Sequence, residues 1–138
     1  MARIRSQHTG PELLVRRILH RAGFRFRLHR SDLPGKPDIV LPRWRAVIDV
    51  RGCYWHAHNC PLFQRPKQNA EFWDSKLGAN VERDTRNDEL LRELGWRHLI
   101  VWECSLRGKS RLTEEDLETA MTVWLHSDAF HGEIAGPG

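Results

Sequence analysis

The sequence predicts one α/β domain in which a mixed β-sheet is flanked by helices, and three observations support this fold class. The chain has 138 residues, which suffices for one domain with a sizeable hydrophobic core. Segments with apolar residues at helical spacing are interleaved with short apolar or alternating runs, a pattern typical of helices that cover a sheet. The three cysteines, an odd number, argue against a closed disulfide framework.

The first predicted element is a helix that starts after Thr9 and ends before Gly23. Thr9 has the N-cap position and Glu12 the third helical position, which is the spacing of a capping box. Apolar residues then recur three and four positions apart. Gly23 is a natural residue just past the end of a helix.

The remaining elements follow from turn residues and hydrophobic spacing. In chain order they are strands over 24–29, 38–41 and 46–50, a loop over 51–68, helices over 72–77 and 80–94, a strand over 98–102 and a helix over 113–125. Residues 1–126 are therefore expected to form a single domain, with 127–138 as a frayed C-terminal tail. The loop has no periodicity and needs a stabiliser of its own.

Charge is distributed unevenly along the chain, although the formal net charge is only +4. Residues 1–70 hold fourteen Lys and Arg against four acidic residues, whereas residues 71–138 hold eight against fourteen. A dense basic segment indicates a polyanionic partner, most often nucleic acid. The chain has no run of about 20 apolar residues and no apolar stretch typical of a secretory signal, so we expect a cytoplasmic protein without a membrane segment.

A cluster of soft metal ligands lies in the long loop. Cys53, His56, His58 and Cys60 fall within eight residues, and the third cysteine, Cys104, follows the last predicted strand. Structural zinc prefers four tetrahedral sulfur or nitrogen ligands, and three cysteines with one histidine make such a set. The spacing leaves open which histidine serves, and the alternative is three unrelated buried cysteines beside exposed histidines.

Two acidic residues stand at the ends of neighbouring predicted strands. Asp38 begins one strand after Pro37, and Asp49-Val50-Arg51 ends the next. This arrangement resembles the PD-(D/E)xK nuclease motif, in which two acidic residues bind Mg²⁺ and a cation assists the attacking water. A phosphodiester is anionic, so its hydrolysis needs a divalent ion that neutralises charge and generates hydroxide. Taken alone the motif is weak, because Pro-Asp is also common at surface turns.

Taken together, these segments resemble the very short patch repair (Vsr) family of bacterial DNA mismatch endonucleases. The matching stretches are the helix after Thr9, LPGKPDIV (33–40), GCYWHAHNC (52–60), EFWDSKLGANVERD (71–84) and LGWRHLIVWEC (94–104). The resemblance implies a PD-(D/E)xK restriction-endonuclease-like α/β core with an added structural zinc site. It also implies Mg²⁺-dependent cleavage of one strand on the 5′ side of the thymine in a T:G mismatch, which arises when 5-methylcytosine deaminates.

The resemblance also implies roles for individual residues. Asp38 aligns with the essential Mg²⁺ ligand, and the backbone carbonyl of Val50 aligns with a second protein ligand. His56 aligns with a histidine that helps to activate the hydrolytic water. Glu12 and Asp84 align with supporting acidic residues around the catalytic histidines and metal-bound waters. Without the resemblance, Glu12 would be a capping residue and Asp84 a solvated helix residue.

Two further sets of residues are implied by the resemblance. The zinc ligands would be Cys53, His58, Cys60 and Cys104, which decides the histidine in favour of His58. The side chains that wedge into the duplex beside the mismatch would be Tyr54, Trp55 and Trp73, for which the alternative is a local aromatic core. Unstacking is least costly at a mismatch, so a wedge favours damaged DNA. The other tryptophans lie in patterned elements and are expected to be packing residues: Trp44, Trp96, Trp102 and Trp124.

The chain departs from the family pattern at Asp49 and Arg51. The best-known members carry an apolar residue at the first position and a histidine at the second. One hypothesis is that Asp49 supplies a further Mg²⁺ ligand and Arg51 the cation, which leaves acid–base work to His56 because Arg cannot act as a base. The rival hypothesis is that Arg51 weakens catalysis. Two alternative functions follow: a PD-(D/E)xK nickase with a different site choice, and a catalytically weakened, zinc-stabilised DNA-binding module.

The expected partner is double-stranded DNA that contains a mismatch. A MutL-type repair protein is a further candidate partner, and the expected location is the bacterial cytoplasm at the nucleoid. We expect a monomer, since an asymmetric nick needs only one active centre.

Overall fold

The structure is a computed structural model that describes residues 9–53 and 70–136, apart from the side chains of Ala70 and Trp73. Its helices are α1 (Gly10–Arg21), α2 (Ala70–Glu93) and α3 (Glu114–His126), and its strands are β1 (Arg27–Leu28), β2 (Ile39–Leu41), β3 (Ala46–Arg51), β4 (Arg97–Trp102) and β5 (His131–Ile134). Two short 3₁₀ turns, Pro42–Trp44 and Glu103–Ser105, follow β2 and β4. The described part of the chain is therefore a mixed α/β structure.

The described strands form one mixed sheet in the order β1-β2-β3-β4-β5. The first three strands are antiparallel neighbours, with Ile39 opposite Ile48 between β2 and β3. The pairs β3–β4 and β4–β5 are parallel, with Asp49 opposite Ile100. Because β3 belongs to both arrangements, the antiparallel and parallel halves of the sheet meet at this strand.

The sheet lies between helices that cover both of its faces. On one face, α1 and α3 contribute residues such as Val15 and Met121 to the main core, which also contains Ile39 and Ile48. On the other face, Leu91 of α2 packs with Val40 of β2. Neighbouring strand residues such as Ile39 and Val40 thus enter different cores, as the two-residue period of a strand requires. The predicted α/β class with flanking helices is confirmed.

The predicted caps of α1 are present, and α3 has an N-cap of the same kind. The Thr9 side chain accepts a hydrogen bond from the Glu12 N–H, and the Thr113 side chain accepts one from Asp116. Gly23 follows α1 with a φ of 95°, a left-handed conformation that glycine adopts without steric cost. The packing role of four tryptophans is also confirmed, since each is buried or lies against a core cluster: Trp44, Trp96, Trp102 and Trp124.

Two elements differ in length from the prediction. The helices expected over 72–77 and 80–94 are one continuous helix, α2. A single glycine within a helix costs about 1 kcal/mol relative to alanine, so Gly78 does not divide α2. The strand expected over 24–29 is reduced to Arg27–Leu28, and it ends where His29 adopts a φ of 46°.

The C-terminal segment corrects the prediction of a frayed tail over 127–138. β5 pairs in parallel with β4, and Ile134 is buried in the main core. Arg97 stabilises the segment between α3 and β5, because its guanidinium donates hydrogen bonds to the carbonyls of Leu125 and Ala129. A Cβ on Gly132 would lie 2.4 Å from Trp124 Nε1, so a glycine permits the close approach of β5 to α3. The folded unit therefore extends beyond residue 126, through β5.

No helix in the described ranges is both long and apolar enough to span a membrane.

Candidate active site

Three side chains stand in a row across neighbouring strands at one end of the sheet. Asp38 precedes β2 and lies one position beyond the pair of Ile39 and Ile48, which places it opposite Asp49. His29 follows β1 and donates its backbone N–H to the Asp38 carbonyl at 3.2 Å. The register of the two antiparallel pairs thus brings His29, Asp38 and Asp49 side by side.

Backbone groups fix the two aspartates of this row against each other. The Asp38 N–H donates to Asp49 Oδ1 at 3.1 Å, and the Val50 N–H donates to Asp38 Oδ2 at 2.8 Å. Hydrogen bonds to an ionised carboxylate are stronger than neutral ones. The positions of both carboxylates are therefore set by the backbone of the adjacent strand.

Glu12 reaches this row from the first turn of α1. Its side chain is only 2% exposed, and its Oε2 lies 3.0 Å from His29 Nε2, which in turn lies 3.8 Å from Asp38 Oδ1. Arg16, one turn further along α1, forms an ion pair with Glu12. Glu12 is thus more than a capping residue, because its carboxylate belongs to the same cluster as Asp38.

Asp49 belongs to a second cluster on the face that α2 covers. His98 of β4 donates its Nε2–H to Asp49 Oδ2 at 2.8 Å. Arg51 forms a bidentate pair with Asp88 of α2 at 2.8 and 3.4 Å, and its Nη2 lies 3.7 Å from Asp49 Oδ2. The Arg51 guanidinium is therefore shared between two half-buried carboxylates.

The two aspartates have opposite electrostatic environments. Burial, together with the negative charge of Asp49, raises the pKa of Asp38 to about 7. Burial alone would also raise the pKa of Asp49, but the hydrogen bond and charge of His98 and the charge of Arg51 outweigh it and lower that pKa. The pKa of His29 is lowered by burial and by the charges of Arg16 and Lys36. Asp49 is therefore the more firmly ionised member of the carboxylate pair.

A cavity of about 160 Å³ lies between this end of the sheet and α2. Four carboxylates line it, two from strand ends and two from α2, together with the cationic side chains of Lys36 and Arg51. The four acidic residues are Asp38, Asp49, Asp84 and Asp88. Asp84 of α2 therefore lines the same cavity as the strand-end carboxylates.

Two groups of potential metal ligands occur among the described residues. The ligand atoms within each group lie within 4.8 Å of one another, and the groups are Glu12 with His29 and Asp38, and Asp49 with Asp88 and His98. Carboxylate oxygens suit Mg²⁺, Ca²⁺ and Mn²⁺. In the second group Arg51 already supplies a positive charge, whereas Asp38 combines a raised pKa with access to the cavity.

The predicted zinc ligands fall only partly within the described residues. Cys53 and Cys104 are both buried and belong to one cluster with Ile100 and Trp102. The backbone N–H of Gly136 donates to Cys104 Sγ at 3.3 Å. The other predicted zinc ligands, His58 and Cys60, lie outside the described residues, as do His56 and the wedge residues Tyr54 and Trp55. The wedge residue Trp73 lies on α2, but its side chain is not described.

Four residues of the two clusters were not predicted from the sequence: Arg16, His29, Asp88 and His98. Asp88 had a detectable signal, because it follows Asp84 by four positions and so shares its helix face. Arg16 stands in the same relation to Glu12. His29 and His98 depend on strand register, which hydrophobic patterns specify only to within a residue or two. Cross-strand neighbours of Asp38 and Asp49 could be identified only once that register was fixed.

The sequence of residues 1–62 matches the family model described as DNA mismatch endonuclease Vsr. The chain is 43% identical to the DNA mismatch endonuclease Vsr of Escherichia coli (strain K12), and the match covers the whole chain and 88% of that protein.

Similar proteins also include type II nicking enzymes. The chain is 50% identical to V.XorIIP of Xanthomonas oryzae pv. oryzae over 77% of the chain and 78% of that enzyme. It is 42% identical to V.NmeAIP of Neisseria meningitidis serogroup A over 80% of the chain and 79% of that enzyme. These three proteins are named either as endonucleases or as nicking enzymes.

Proposed function

The chain belongs to the DNA mismatch endonuclease Vsr family, and from this premise we propose that it is a Mg²⁺-dependent endonuclease that nicks one DNA strand. The proposed cleavage lies on the 5′ side of the thymine in a T:G mismatch, which would make the protein a repair enzyme for deaminated 5-methylcytosine. The observation that carries this proposal is the position of Asp38, a half-buried carboxylate held opposite Asp49 at the wall of a cavity with four acidic side chains. The proposed fold is a PD-(D/E)xK nuclease core.

The residues around Asp38 fit a bound Mg²⁺ ion. Four carboxylates face one cavity, and Mg²⁺ prefers oxygen ligands. Burial and the charge of Asp49 raise the pKa of Asp38, and a divalent cation would relieve that unfavourable charge. The ion would be held by Asp38 and the backbone carbonyl of Val50, with Asp49 as a further candidate. When bound, Mg²⁺ neutralises negative charge on the phosphodiester and lowers the pKa of a water molecule.

The other site residues support this arrangement through charge and hydrogen bonding. Glu12 and Asp84 approach Asp38 from α1 and α2, and we propose that both orient metal-bound water. His56 is the proposed acid–base residue, because Arg51 stays protonated and is bound to Asp88. Arg51 then serves as a fixed cation that limits repulsion among the carboxylates.

A structural zinc ion is proposed at Cys53, His58, Cys60 and Cys104. Two of these ligands, Cys53 and Cys104, already share one buried cluster at the end of β3 and β4. The N–H···S hydrogen bond from Gly136 to Cys104 is the kind of contact that zinc-bound thiolates receive. The ion would hold the loop that carries Tyr54 and Trp55 against the sheet. These two side chains and Trp73 are the proposed wedge into the DNA duplex.

A second candidate function is a strand-specific nickase with a different site choice. The type II nicking enzymes among the similar proteins favour it, and it uses the same catalytic residues. A third candidate, a weakened DNA-binding module, is favoured by Arg51 at a position where well-known family members carry histidine.

The experiment is a cleavage assay with end-labelled duplexes that carry T:G, T:A or C:G at one position, in several sequence contexts. We expect a single nick 5′ of the mismatched thymine, with Mg²⁺ required. Equal cleavage of all three duplexes would support the second candidate, and binding without cleavage would support the third.

The matched variants for this assay are Asp38→Asn and Asp32→Asn. Asp38→Asn removes the proposed Mg²⁺ ligand and should abolish cleavage. Asp32 has a side chain that is 62% exposed and paired with Arg30, so Asp32→Asn should cleave like the unmodified protein. Full activity of Asp38→Asn would refute the proposed metal site.

The zinc proposal is tested by metal analysis of purified protein. We expect about one zinc ion per chain, which is the content of a single four-ligand site, and loss of the ion together with thermal stability in Cys104→Ser. A folded, metal-free protein would contradict the proposal.

The partner and location remain part of the same proposal. DNA with a mismatch is the proposed substrate, bound by a monomer, since one active centre suffices for one nick. The bacterial cytoplasm at the nucleoid is the proposed location, and a MutL-type protein is a proposed partner. Analytical ultracentrifugation with and without a short T:G duplex tests the monomer, because a dimer would bind with twice the protein mass.

A further inference from the structure

We propose that His98 is a positioning residue. It fixes the Asp49 carboxylate, which in turn holds the Asp38 backbone in place. Asp49 then acts through the backbone of Asp38, and this role takes the place of the candidate Mg²⁺-ligand role that Asp49 has in the proposed function. The inference deepens the proposed function, because it concerns how the same site keeps its one essential carboxylate in place.

Both oxygens of Asp49 are engaged by protein groups. Oδ1 accepts the N–H of Asp38 at 3.1 Å, and Oδ2 accepts the Nε2–H of His98 at 2.8 Å. A carboxylate fixed at both oxygens in this way links two strands, and its geometry is already set before any ion binds. Asp38, by contrast, has Oδ2 bound to the Val50 N–H while Oδ1 points toward His29.

The strand register explains why His98 can perform this task. Asp49 lies opposite Ile100, so His98, two residues earlier on β4, projects from the same face of the sheet and is a diagonal neighbour. Its side chain is only 5% exposed, and few other conformations are open to a ring in such a packed site.

The contacts around His98 close into a ring of four side chains. His98 Nδ1 lies 3.5 Å from Asp88 Oδ1, Asp88 binds Arg51 at 2.8 Å, and Arg51 lies 3.7 Å from Asp49. The His98–Asp49 and Arg51–Asp88 contacts are hydrogen bonds, and the other two are longer contacts between charged groups. We infer that this ring restricts rotation of the Asp49 carboxylate. The hydrogen bond from the Asp38 N–H to Asp49 then restrains the Asp38 backbone.

His98 is placed behind the site rather than in it. Among the described residues, the wall of the 160 Å³ cavity includes Asp38, Asp49 and Arg51 but not His98. His98 lines a second cavity of about 310 Å³, together with Trp96 and His131. A role in direct contact with the phosphodiester is thus disfavoured by its position.

The test is a double-mutant cycle of His98→Leu and Asp49→Leu, measured in the nicking assay. Outer partners of metal ligands typically contribute about 10- to 100-fold in metal affinity or activity, so we expect His98→Leu to lower kcat about tenfold with KM for DNA unchanged. The same substitution should have no further effect in the Asp49→Leu background. His98→Gln, whose amide can still donate to Asp49, should restore most of the activity.

A second measurement makes the test independent of nicking. Binding of Mn²⁺ to the free protein, followed by electron paramagnetic resonance, should weaken in His98→Leu and recover in His98→Gln. The control is His131→Leu, which removes an exposed histidine whose ring lies 5.9 Å from that of His98. We expect this variant to match the unmodified protein in both assays.

Two outcomes would overturn the inference. An equal loss of kcat from His98→Leu with and without Asp49 would mean that His98 acts on its own. A lower melting temperature with unchanged kcat and Mn²⁺ affinity would mean that the contact is only structural. If the unmodified protein nicks no duplex, the proposed function fails, while the Mn²⁺ measurement still decides the role of His98.

Discussion

At the scale of single residues, the site combines two carboxylates with unlike surroundings. Asp49 is held by His98 and Arg51, whereas Asp38 is half-buried beside Asp49, and desolvation together with the charge of Asp49 raises its pKa to about 7. A charge in such a position lowers the stability of the folded state unless a cation joins it. The residue most important for the proposed chemistry is therefore also one that destabilises the fold.

Asp38→Asn should remove nicking activity and increase stability above pH 7. The folded-state pKa of about 7 exceeds the ordinary value of 3.8, so ionised Asp38 opposes folding. The variant should gain up to about 4 kcal/mol in unfolding free energy at pH 8, from the usual conversion of a pKa difference. Because the unfolded chain releases this proton first, the gain should shrink as the pH falls from 7 toward 4. Urea unfolding without divalent metal measures it, and a gain that is independent of pH would contradict the assignment.

Arg51→Met should destabilise the protein because it leaves Asp49 and Asp88 without their shared guanidinium. Breaking one side of a fully buried ion pair costs about 3 to 5 kcal/mol; because Asp88 is partly exposed, we expect a smaller loss, which denaturant unfolding can still resolve. The double variant Arg51→Met with Asp88→Leu should recover part of that loss. Arg30→Met, which disrupts the exposed pair with Asp32, should leave the unfolding midpoint nearly unchanged. A small effect of Arg51→Met would show that the pair contributes little.

At the scale of elements, local signals predicted the helices better than the strands. Thr9, Glu12 and Gly23 specified the start and end of α1, because capping is decided within one turn. The sheet depends on partners far away in sequence, so the short β1 and the row of His29 beside Asp38 could not be predicted from spacing. β5 was missed because its stability comes from pairing with β4 and packing against Trp124.

Gly132→Ala should destabilise β5, since the new Cβ would lie 2.4 Å from Trp124 Nε1 and 3.2 Å from Leu99 Cδ1. Added volume in a packed region typically costs about 1 to 3 kcal/mol, measured as a lower midpoint in denaturant. Gly10→Ala is the matched control, because a Cβ at the start of α1 meets no atom within 4 Å. Equal stability of the two variants would argue against close packing of β5.

At the scale of the whole molecule, the site joins the two differently charged halves of the chain. Asp38, Asp49 and Arg51 come from the basic half, and Asp84 and Asp88 come from the acidic half through α2. The acidic residues of the second half are thus not only a solvated surface.

DNA affinity should fall steeply with salt and should depend on the basic half. Each phosphate contact contributes about −0.9 to the slope of log affinity against log salt. Arg27→Gln, on the exposed edge strand β1, should reduce the magnitude of that slope by about one. Arg111→Gln, an exposed residue of the acidic half, should leave it unchanged. Fluorescence anisotropy over a salt series provides the measurement, and equal slopes for the two variants would place the DNA elsewhere.

The pairing of Asp38 with Asp49 at the end of the sheet restricts the length of the turn that joins β2 and β3. β2 and β3 are joined by the short Pro42–Trp44 turn and Arg45, whose φ is 51°. Because neighbouring strand residues point to opposite faces, one inserted or deleted residue in this turn would move Asp49 to the wrong side of the sheet. The hydrophobic cores could still form from similar residues, yet the carboxylate pair would be lost. The length of this hairpin turn is therefore fixed by the chemistry beside it.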